Sequence, residues 1–306
     1  MPVLFVFVDG VGAGANDPEV NPLARREHLL TRFADGSGAP LPGGGRAVLA
    51  DATLGVQGRP QSATGQTTIL TGENAPQLLG YHLVGFPNAP LRDLLASRSL
   101  FRALAAGGLR GAFANAFPVA YLHALGIEAE GEPEFELGRR RPRPSASTLA
   151  FRAGGGRFLT WRDLLAGRAL TPDLTGDRAR RHGAPAPRCG PEEAAAALLR
   201  VAADHDLTLF EFFETDEAGH AQAMEPALSA LDRLDAFLRA VVAGLGEGWS
   251  LVVASDHGNV EDLSIRNHTR APVPVLGFGP AAARVGAVRD LTGLAPLLLG
   301  LAAPEP

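Results

Sequence analysis

Four short segments of the chain carry acidic, histidine and hydroxyl side chains of the kinds that bind divalent metal ions. They read VFVDGVG, PQSATGQT, TDEAGH and ASDHGN…NHTRAPVP, and their candidate residues are Asp9, Ser62, Asp216, His220, Asp256, His257 and His268. Three carboxylates and three imidazoles supply six ligands, and a serine oxygen would be the seventh. Two divalent ions roughly 3.5–4 Å apart use such a set to neutralise charge in phosphoryl transfer. The pattern therefore indicates a two-metal phosphoryl-transfer site.

Each residue taken alone has an ordinary structural explanation. An aspartate after a strand commonly forms a turn or caps a helix. Asp216 and His220 have the spacing of an i,i+4 pair on a solvated helix face, and a single His268 is typical of a polar loop. It is the combination and its order along the chain that favour a metal site.

Ser62 is the predicted nucleophile. Serine reacts poorly at neutral pH, and no motif offers it a general base, so coordination to a metal ion is the natural way to hold it as an alkoxide. The same stretch is also an ordinary helix start with Ser or Thr as N-cap. The two interpretations are compatible, because a helix N-terminus directs N–H groups toward a phosphoryl group. Thr64 is the competing nucleophile.

Apolar runs place these residues at the ends of predicted strands. The run at 2–8 stops at Asp9, WSLVVAS stops before Asp256, and LTLFEFF stops shortly before Asp216. In open α/β sheets, ligands bind at the edge formed by the carboxyl ends of the strands. Strands that alternate with helical patterns predict an α/β fold, with a mostly parallel sheet sandwiched between helices.

The alternation of strands and helices is interrupted in the middle of the chain. We expect a discontinuous metal-binding catalytic core over 1–115 and 190–306, with a small inserted cap over 116–189, where the sequence becomes rich in Pro and Arg. Within the first part we expect a long loop over 11–46, one helix near 91–107 and a strand over 110–114.

The order of the motifs resembles the alkaline phosphatase superfamily. QSATGQ is similar to the Asn-Ser-x-x-Gly-His and Asp-Thr-Thr-Thr-Gly-His stretches of cofactor-independent phosphoglycerate mutases and phosphopentomutases, in which the second residue attacks. NHTRAPVP is similar to their His-Thr-x-x-Pro-Val-Pro stretch, and 289–303 resembles their closing helix. The motifs cover roughly 1–75 and 205–303. The resemblance implies an alkaline-phosphatase-like core of this branch.

The resemblance also implies how the ligands are shared. One ion would be held by Asp216, His220 and His268. The other would be held by Asp9, Asp256, His257 and the Ser62 oxygen. Two imidazoles and a carboxylate suit Zn²⁺, whereas the oxygen-rich site would also accept Mn²⁺. We therefore expect two divalent ions, Mn or Zn.

Three departures from these mutases bear on the reaction. All 28 basic residues are arginine, so the active-site lysine of the phosphoglycerate mutases has no counterpart. Gln66 stands where those families usually have His. The predicted cap is also much shorter than the second domain of the phosphoglycerate mutases, and a mutase needs a substantial lid to keep water from its phosphorylated intermediate. A small lid favours hydrolysis.

Several residues are predicted to contact the substrate. They are Thr64, Gln66, Arg139, Arg141 and Arg270. The arginine cluster in GRRRPRP has two interpretations, a solvated loop broken by proline or a phosphate-binding fork over the site. Arg178, Arg180 and Arg181 are similar candidates.

Composition narrows the possible partners. The net charge is −5 with no long basic tract, which argues against a nucleic acid as the main partner. The opening apolar run has only seven residues before Asp9, so neither a signal peptide nor a membrane span is predicted, and we expect a cytoplasmic protein. The single cysteine, Cys189, excludes an internal disulfide. Oligomeric state is left open.

Together these features predict a two-metal hydrolase of a small phosphorylated metabolite that works through a phosphoserine at Ser62. Three alternatives stay open. They are a phosphomutase of the phosphoglycerate or phosphopentose type, a phosphodiesterase, and a catalytically silent metal-binding regulatory protein.

Overall fold

A six-stranded sheet forms the centre of the computed structural model, which describes residues 1–135, 142–184 and 186–303. The strands are β1 (Val3–Val8), β2 (Arg46–Ala50), β3 (Gly111–Phe113), β4 (Leu207–Phe212), β5 (Ser250–Ser255) and β6 (Val273–Phe278). Their order is β2-β6-β5-β1-β4-β3; the two pairs that include β6 are antiparallel, and the other three pairs are parallel. The predicted mostly parallel α/β sheet is confirmed.

Fourteen α-helices are found in the described part of the chain. The first seven are α1 (Pro22–Arg25), α2 (Ser62–Thr71), α3 (Ala75–Leu79), α4 (Ala89–Arg98), α5 (Leu100–Ala106), α6 (Val119–Ala124) and α7 (Ala146–Ala153). The others are α8 (Trp161–Leu165), α9 (Asp177–Arg181), α10 (Pro191–Ala203), α11 (Glu214–Ala221), α12 (Met224–Ala243), α13 (Pro280–Arg284) and α14 (Leu294–Ala302). None of these described helices is both long and apolar enough to cross a membrane.

Alternate side chains of β1 pack into two separate hydrophobic cores on opposite faces of the sheet. Phe5 and Phe7 pack on the face that α2, α7 and α14 cover, whereas Val6 and Val8 pack on the face that α10 and α12 cover. All of β1 is buried, as expected for a central parallel strand covered on both sides. Burial of one such Val or Phe stabilises the fold by about 1.5–3 kcal/mol. The two cores hold the sheet rigid under the edge that carries the candidate ligands.

The first part of the chain differs from expectation in two places. The segment expected to be a loop, 11–46, contains the short helix α1 and ends in the edge strand β2, whose side chains are mostly half-exposed. The helix expected near 91–107 is two helices that meet at Ser99. Ser99 has extended backbone angles, and its hydroxyl accepts from the Arg102 N–H, so it starts α5 as an N-cap.

The segment predicted as the cap contributes to the main core as well as to a small cluster of its own. Ala150 and Phe151 of α7 pack in the same core as Phe5, on the face covered by α2. A separate small cluster forms around Trp161 and Ala179. The part of 116–189 that stands apart from the core is therefore smaller than the whole segment.

Candidate metal centre

The carboxyl ends of three neighbouring strands bring the predicted ligands together. Asp9 directly follows β1, Asp256 directly follows β5, and Asp216 lies in the first turn of α11, which begins two residues after β4. Because β4, β1 and β5 are adjacent and parallel, these residues meet at one edge of the sheet. This is the edge at which open α/β sheets bind ligands.

The first group of ligands, Asp9, Asp256 and His257, is buried, and the half-buried Ser62 lies beside it. His257 Nε2 lies 3.3 Å from Asp9 Oδ1 and 3.5 Å from Asp256 Oδ2. The hydroxyl of Ser62 lies 3.1 Å from the same nitrogen. Ligands about 3.3 Å apart are what a tetrahedral ion with bonds of about 2.0–2.1 Å requires. These four side chains therefore have the spacing of a coordination shell.

The second group lies nearer the surface. His220 Nε2 is 3.3 Å from Asp216 Oδ2, and His268 Nε2 is 3.6 Å from Asp216 Oδ1. The side chain of His220 is 42% exposed, compared with 4% for His268. The two groups match the division of ligands that the sequence predicts, and the second is the one that solvent can reach.

The hydrogen bonds of the two histidines in this group leave a specific need for a cation. His220 Nδ1 lies 2.8 Å from the Arg266 carbonyl, and His268 Nδ1 lies 3.0 Å from the Pro60 carbonyl. A carbonyl can only accept, so each Nδ1 carries the proton and each neutral ring keeps a lone pair on Nε2. The two Nε2 atoms are 3.2 Å apart. Two lone pairs facing each other at this distance repel unless a cation lies between them.

The buried carboxylates give a second test of fit. Among the described residues, no hydrogen-bond partner reaches Asp9 Oδ1 or either carboxylate oxygen of Asp256, although all three atoms are buried. Burial, followed by the charges of Asp256 and Asp216, holds the pKa of Asp9 well above its ordinary range. Burial and the charge of Asp216 do the same to the pKa of Asp256. The residues thus fit divalent ions, which would compensate these charges.

Burial favours the neutral form of two histidines of the centre, His257 and His268. Burial, followed by the nearby charge of His268, lowers the pKa of His257 well below its ordinary value. Burial also lowers the pKa of His268. Neutral imidazole is the form that ligates metals, so the same burial that penalises the carboxylates favours ligation by the histidines.

Ser62 is the first residue of α2, not its N-cap. The N-cap is Gln61, which makes no side-chain cap, so the Ser62 hydroxyl is free to face His257. The hydroxyl of Thr64 instead donates to the Gln61 carbonyl and accepts from the Leu83 N–H, and Thr64 is fully buried. Of the two candidate nucleophiles, Ser62 is the one beside the predicted ligands.

Two glycines allow the elements to approach this closely. Gly10 has a φ of 74°, and a Cβ there would lie 2.8 Å from the Asp216 side chain. A Cβ on Gly65 would lie 2.9 Å from the Asp256 carbonyl oxygen. Glycine is therefore needed at both positions, first to turn the chain after β1 and then to seat α2 against the end of β5.

Two positioning residues were missed by the sequence reasoning. The Asn259 side chain donates to Asp216 Oδ1 at 2.6 Å. The buried carboxylate of Glu261 accepts from the backbone N–H groups of Gly12, at 2.9 Å, and Asn259, at 2.7 Å, and from the Thr269 hydroxyl. Glu261 thereby ties together the loops after β1 and β5. Their position within five residues of Asp256 is the signal that could have indicated them.

The residues predicted to contact the substrate differ in how close they lie to the metal centre. Gln66 is buried and donates to Asp9 Oδ2 at 3.4 Å, so it touches a predicted ligand. Arg270 is exposed, and its charge contributes to a lowered pKa of His82, after burial of that ring. Arg139 and Arg141 lie outside the described residues. The roles of these four residues stay predictions.

Comparison with known proteins identifies relatives of part of the chain. Residues 187–299 match the family model described as Metalloenzyme superfamily. A 2,3-bisphosphoglycerate-independent phosphoglycerate mutase from Cereibacter sphaeroides is 38% identical over 110 residues, which are 33% of this chain and 22% of the mutase. A phosphopentomutase from Methylobacterium nodulans is 44% identical over 68 residues, which are 22% of this chain and 16% of that enzyme. The matches thus span about a fifth of the length of these relatives.

The fold has relatives that cover the whole chain. An alkaline phosphatase from the Antarctic bacterium TAB5 aligns over 98% of this chain and 98% of its own, with a TM-score of 0.55 at 12% identity. At this identity the likeness concerns the fold alone. The sequence comparisons confirm the resemblance to the metalloenzyme superfamily and to the two mutases, and the structural comparison confirms an alkaline-phosphatase-like fold.

Proposed function

We propose that this chain, whose residues 187–299 match the Metalloenzyme superfamily model, is a metal-dependent phosphomonoesterase that uses Ser62 as its nucleophile. One observation carries the proposal. The Ser62 hydroxyl lies 3.1 Å from His257 Nε2, at the point where three buried or half-buried carboxylates and three histidines converge. A hydroxyl in such a cluster is where phosphoryl transfer needs its nucleophile.

The proposed reaction has two steps. In the first, the Ser62 hydroxyl gives its proton to solvent, a bond forms between Ser62 Oγ and phosphorus, the bond from phosphorus to the ester oxygen breaks, and that oxygen takes up a proton from solvent so that the alcohol leaves. In the second, water attacks the phosphorus of the phosphoserine, the bond from phosphorus to Ser62 Oγ breaks, and inorganic phosphate leaves while one proton of the attacking water goes to Ser62 Oγ through solvent. When bound, the two divalent ions would neutralise the phosphoryl oxygens and lower the pKa of the attacking hydroxyl.

The protein's own residues would position this chemistry. Ser62 starts α2, so the free N–H groups of the first turn and the positive end of the helix dipole lie beside the transferred group. Asp9, Asp256 and His257 would hold one ion, and Asp216, His220 and His268 the other. Asn259 keeps Asp216 oriented through its 2.6 Å hydrogen bond.

A phosphomutase is the second candidate, because the two enzymes reported above that match part of this chain are named as mutases. The two reactions differ in what attacks the phosphoserine: water in a phosphatase, a second hydroxyl of the bound substrate in a mutase. We favour hydrolysis because the predicted second group is open to solvent through His220. Part of the segment predicted as the cap, 116–189, also packs in the main core through Phe151, which leaves less of that segment to exclude water.

Product analysis separates these candidates. Purified protein loaded with Mn²⁺ or Zn²⁺ is incubated with a panel of phosphomonoesters, phosphodiesters and pentose or glycerate phosphates, and the products are followed by ³¹P NMR. We expect free phosphate to be the main product from a monoester. An isomerised phosphoester with negligible free phosphate would establish the mutase instead. Preferred turnover of diesters would indicate a phosphodiesterase. If no compound were turned over while both ions were bound, the result would indicate a catalytically silent metal-binding regulatory protein.

A further inference from the structure

A cavity of about 420 Å³ opens beside the sheet edge, between the end of β4 and helices α6, α8 and α9. Its walls include the aromatic side chains of Phe117, Tyr121, Phe135, Trp161 and Phe213. All of these except Trp161 are only half-buried, so their rings present surface to the cavity. The volume falls within the range of about 300–1,000 Å³ that is typical of small-molecule sites.

The ring faces in this cavity suit a flat ligand. The rings of Phe117 and Tyr121 are stacked with an angle of 15° and centroids 5.9 Å apart. Arg178 lies 4.6 Å over the ring of Phe213, and its guanidinium donates to both oxygens of Glu217 at 3.1 and 2.8 Å. Its charge is therefore already compensated. Flat aromatic groups bind such surfaces by stacking, without needing a charge.

Glu211 supplies a hydrogen-bond acceptor in this aromatic surrounding. Among the described residues that line the cavity, it is the one with a carboxyl group. It is partly exposed, and the cavity is where that exposed surface lies. Burial raises the pKa of Glu211 to about 7. An N–H donor from a ligand would favour its ionised form, so the carboxyl is suited to a flat ring that bears N–H groups.

The cavity adjoins the candidate metal centre. Glu211 of β4 pairs in register with Phe7 of β1, and Asp9 follows Phe7 by two residues, just after the end of β1. Two strand residues span roughly 7 Å. That gap leaves room for a sugar between a ring beside Glu211 and a phosphoryl group beside Asp9.

We propose that this cavity binds the base of a nucleoside monophosphate, with its ring between the aromatic side chains and its N–H groups directed to Glu211. The substrate class of the hydrolase is then nucleotides, and this inference rests on the proposed function. The sugar would bridge the gap to Asp9 and place the 5′-phosphate at Ser62. A small aliphatic phosphate would leave the cavity empty.

The binding test uses guanosine, which has adjacent N–H donors and no phosphate, so it does not depend on turnover. Isothermal titration calorimetry of the metal-loaded protein is expected to show saturable binding of guanosine and none of ribose at the same concentrations. Tyr121→Ala should weaken guanosine binding about 5- to 100-fold through loss of a stacking ring. Glu211→Gln, which keeps the shape of the side chain, should weaken guanosine in the same direction.

The chain offers a matched control for this test, because its two tyrosines are Tyr121 and Tyr81. Tyr81 is exposed and lies outside the cavity, so Tyr81→Ala should leave guanosine binding unchanged. Guanosine binding no tighter than ribose, or equal losses in the two tyrosine variants, would overturn the cavity assignment. If guanosine binds but guanosine 5′-monophosphate releases no phosphate, the cavity stands and the hydrolase fails, so the two proposals are distinguishable.

Discussion

Replacing Ser62 by alanine is expected to lower turnover at least about 10³-fold while both metal ions stay bound. The substitution removes the proposed attacking oxygen but none of the three carboxylates and three imidazoles that form the two groups. Initial rates of phosphate release, with metal content measured on the same preparation, test both halves of this expectation.

Thr64 provides the control for the Ser62 variant. It lies two residues further along α2, and its hydroxyl is bonded to Gln61 and Leu83. Thr64→Val keeps the shape of the side chain, so we expect turnover within severalfold of the wild type and a stability loss of about 2 kcal/mol for the two lost hydrogen bonds. A Ser62→Ala protein that kept a tenth or more of its turnover, or a Thr64→Val protein that lost it, would refute the nucleophile assignment.

Exhaustive chelation is expected to abolish turnover and to lower the melting temperature by several degrees or more. Ions that bind only the folded state stabilise it by about 4 kcal/mol when free ion is present at 1,000 times its Kd. Their removal also leaves Asp9 and Asp256 buried together without compensation, which the raised pKa of each carboxyl reflects. Differential scanning calorimetry and activity assays before and after chelation measure these effects.

The control for chelation is restoration. Addition of Mn²⁺ or Zn²⁺ should recover both the melting temperature and the turnover, whereas Ca²⁺, which prefers six to eight oxygen ligands, should recover neither fully because half of the protein ligands are imidazoles. If activity and melting temperature stayed the same after all metal had been removed, the assignment of the site would be wrong.

The positions of the ligands could be predicted because they depend on where strands end. Asp9 and Asp256 follow fully buried strands, and such strands are visible as uninterrupted apolar runs. Parallel strands bring their carboxyl ends to one edge, so residues far apart in sequence were expected to meet there. The structure brings all six predicted metal ligands and Ser62 to that edge.

Features that depend on exposure or on local caps were harder to predict. Strand β2 lies at the edge of the sheet and is mostly half-exposed, so it lacks the continuous apolar signal of β1. Ser62 was expected as a possible N-cap, but Gln61 is the N-cap and Ser62 is the first residue of the helix. Helix boundaries shift by a residue at little cost, and sequence patterns do not resolve such shifts.

Contacts made by the segment 116–189 could not be derived from the sequence. The aromatic cavity combines Phe117, Trp161 and Phe213, which no periodic pattern connects. Asn259 and Glu261 were missed for a related reason. They act on the centre through hydrogen bonds to Asp216 and to backbone N–H groups, and such partners become visible only when the loops are placed.

The most direct test of the central claim is to locate the ions in four single-ligand variants. Asp216→Ala and His268→Ala remove ligands from one group, whereas Asp9→Ala and His257→Ala remove ligands from the other. Anomalous diffraction from metal-loaded crystals, together with metal analysis in solution, reports which ion each variant retains. We expect the first pair to lose or weaken the ion nearer the surface, the second pair to lose or weaken the buried ion, and the other ion to remain in each case. Loss of the same ion from all four variants, or two fully occupied ions in all of them, would contradict a centre built from these two groups.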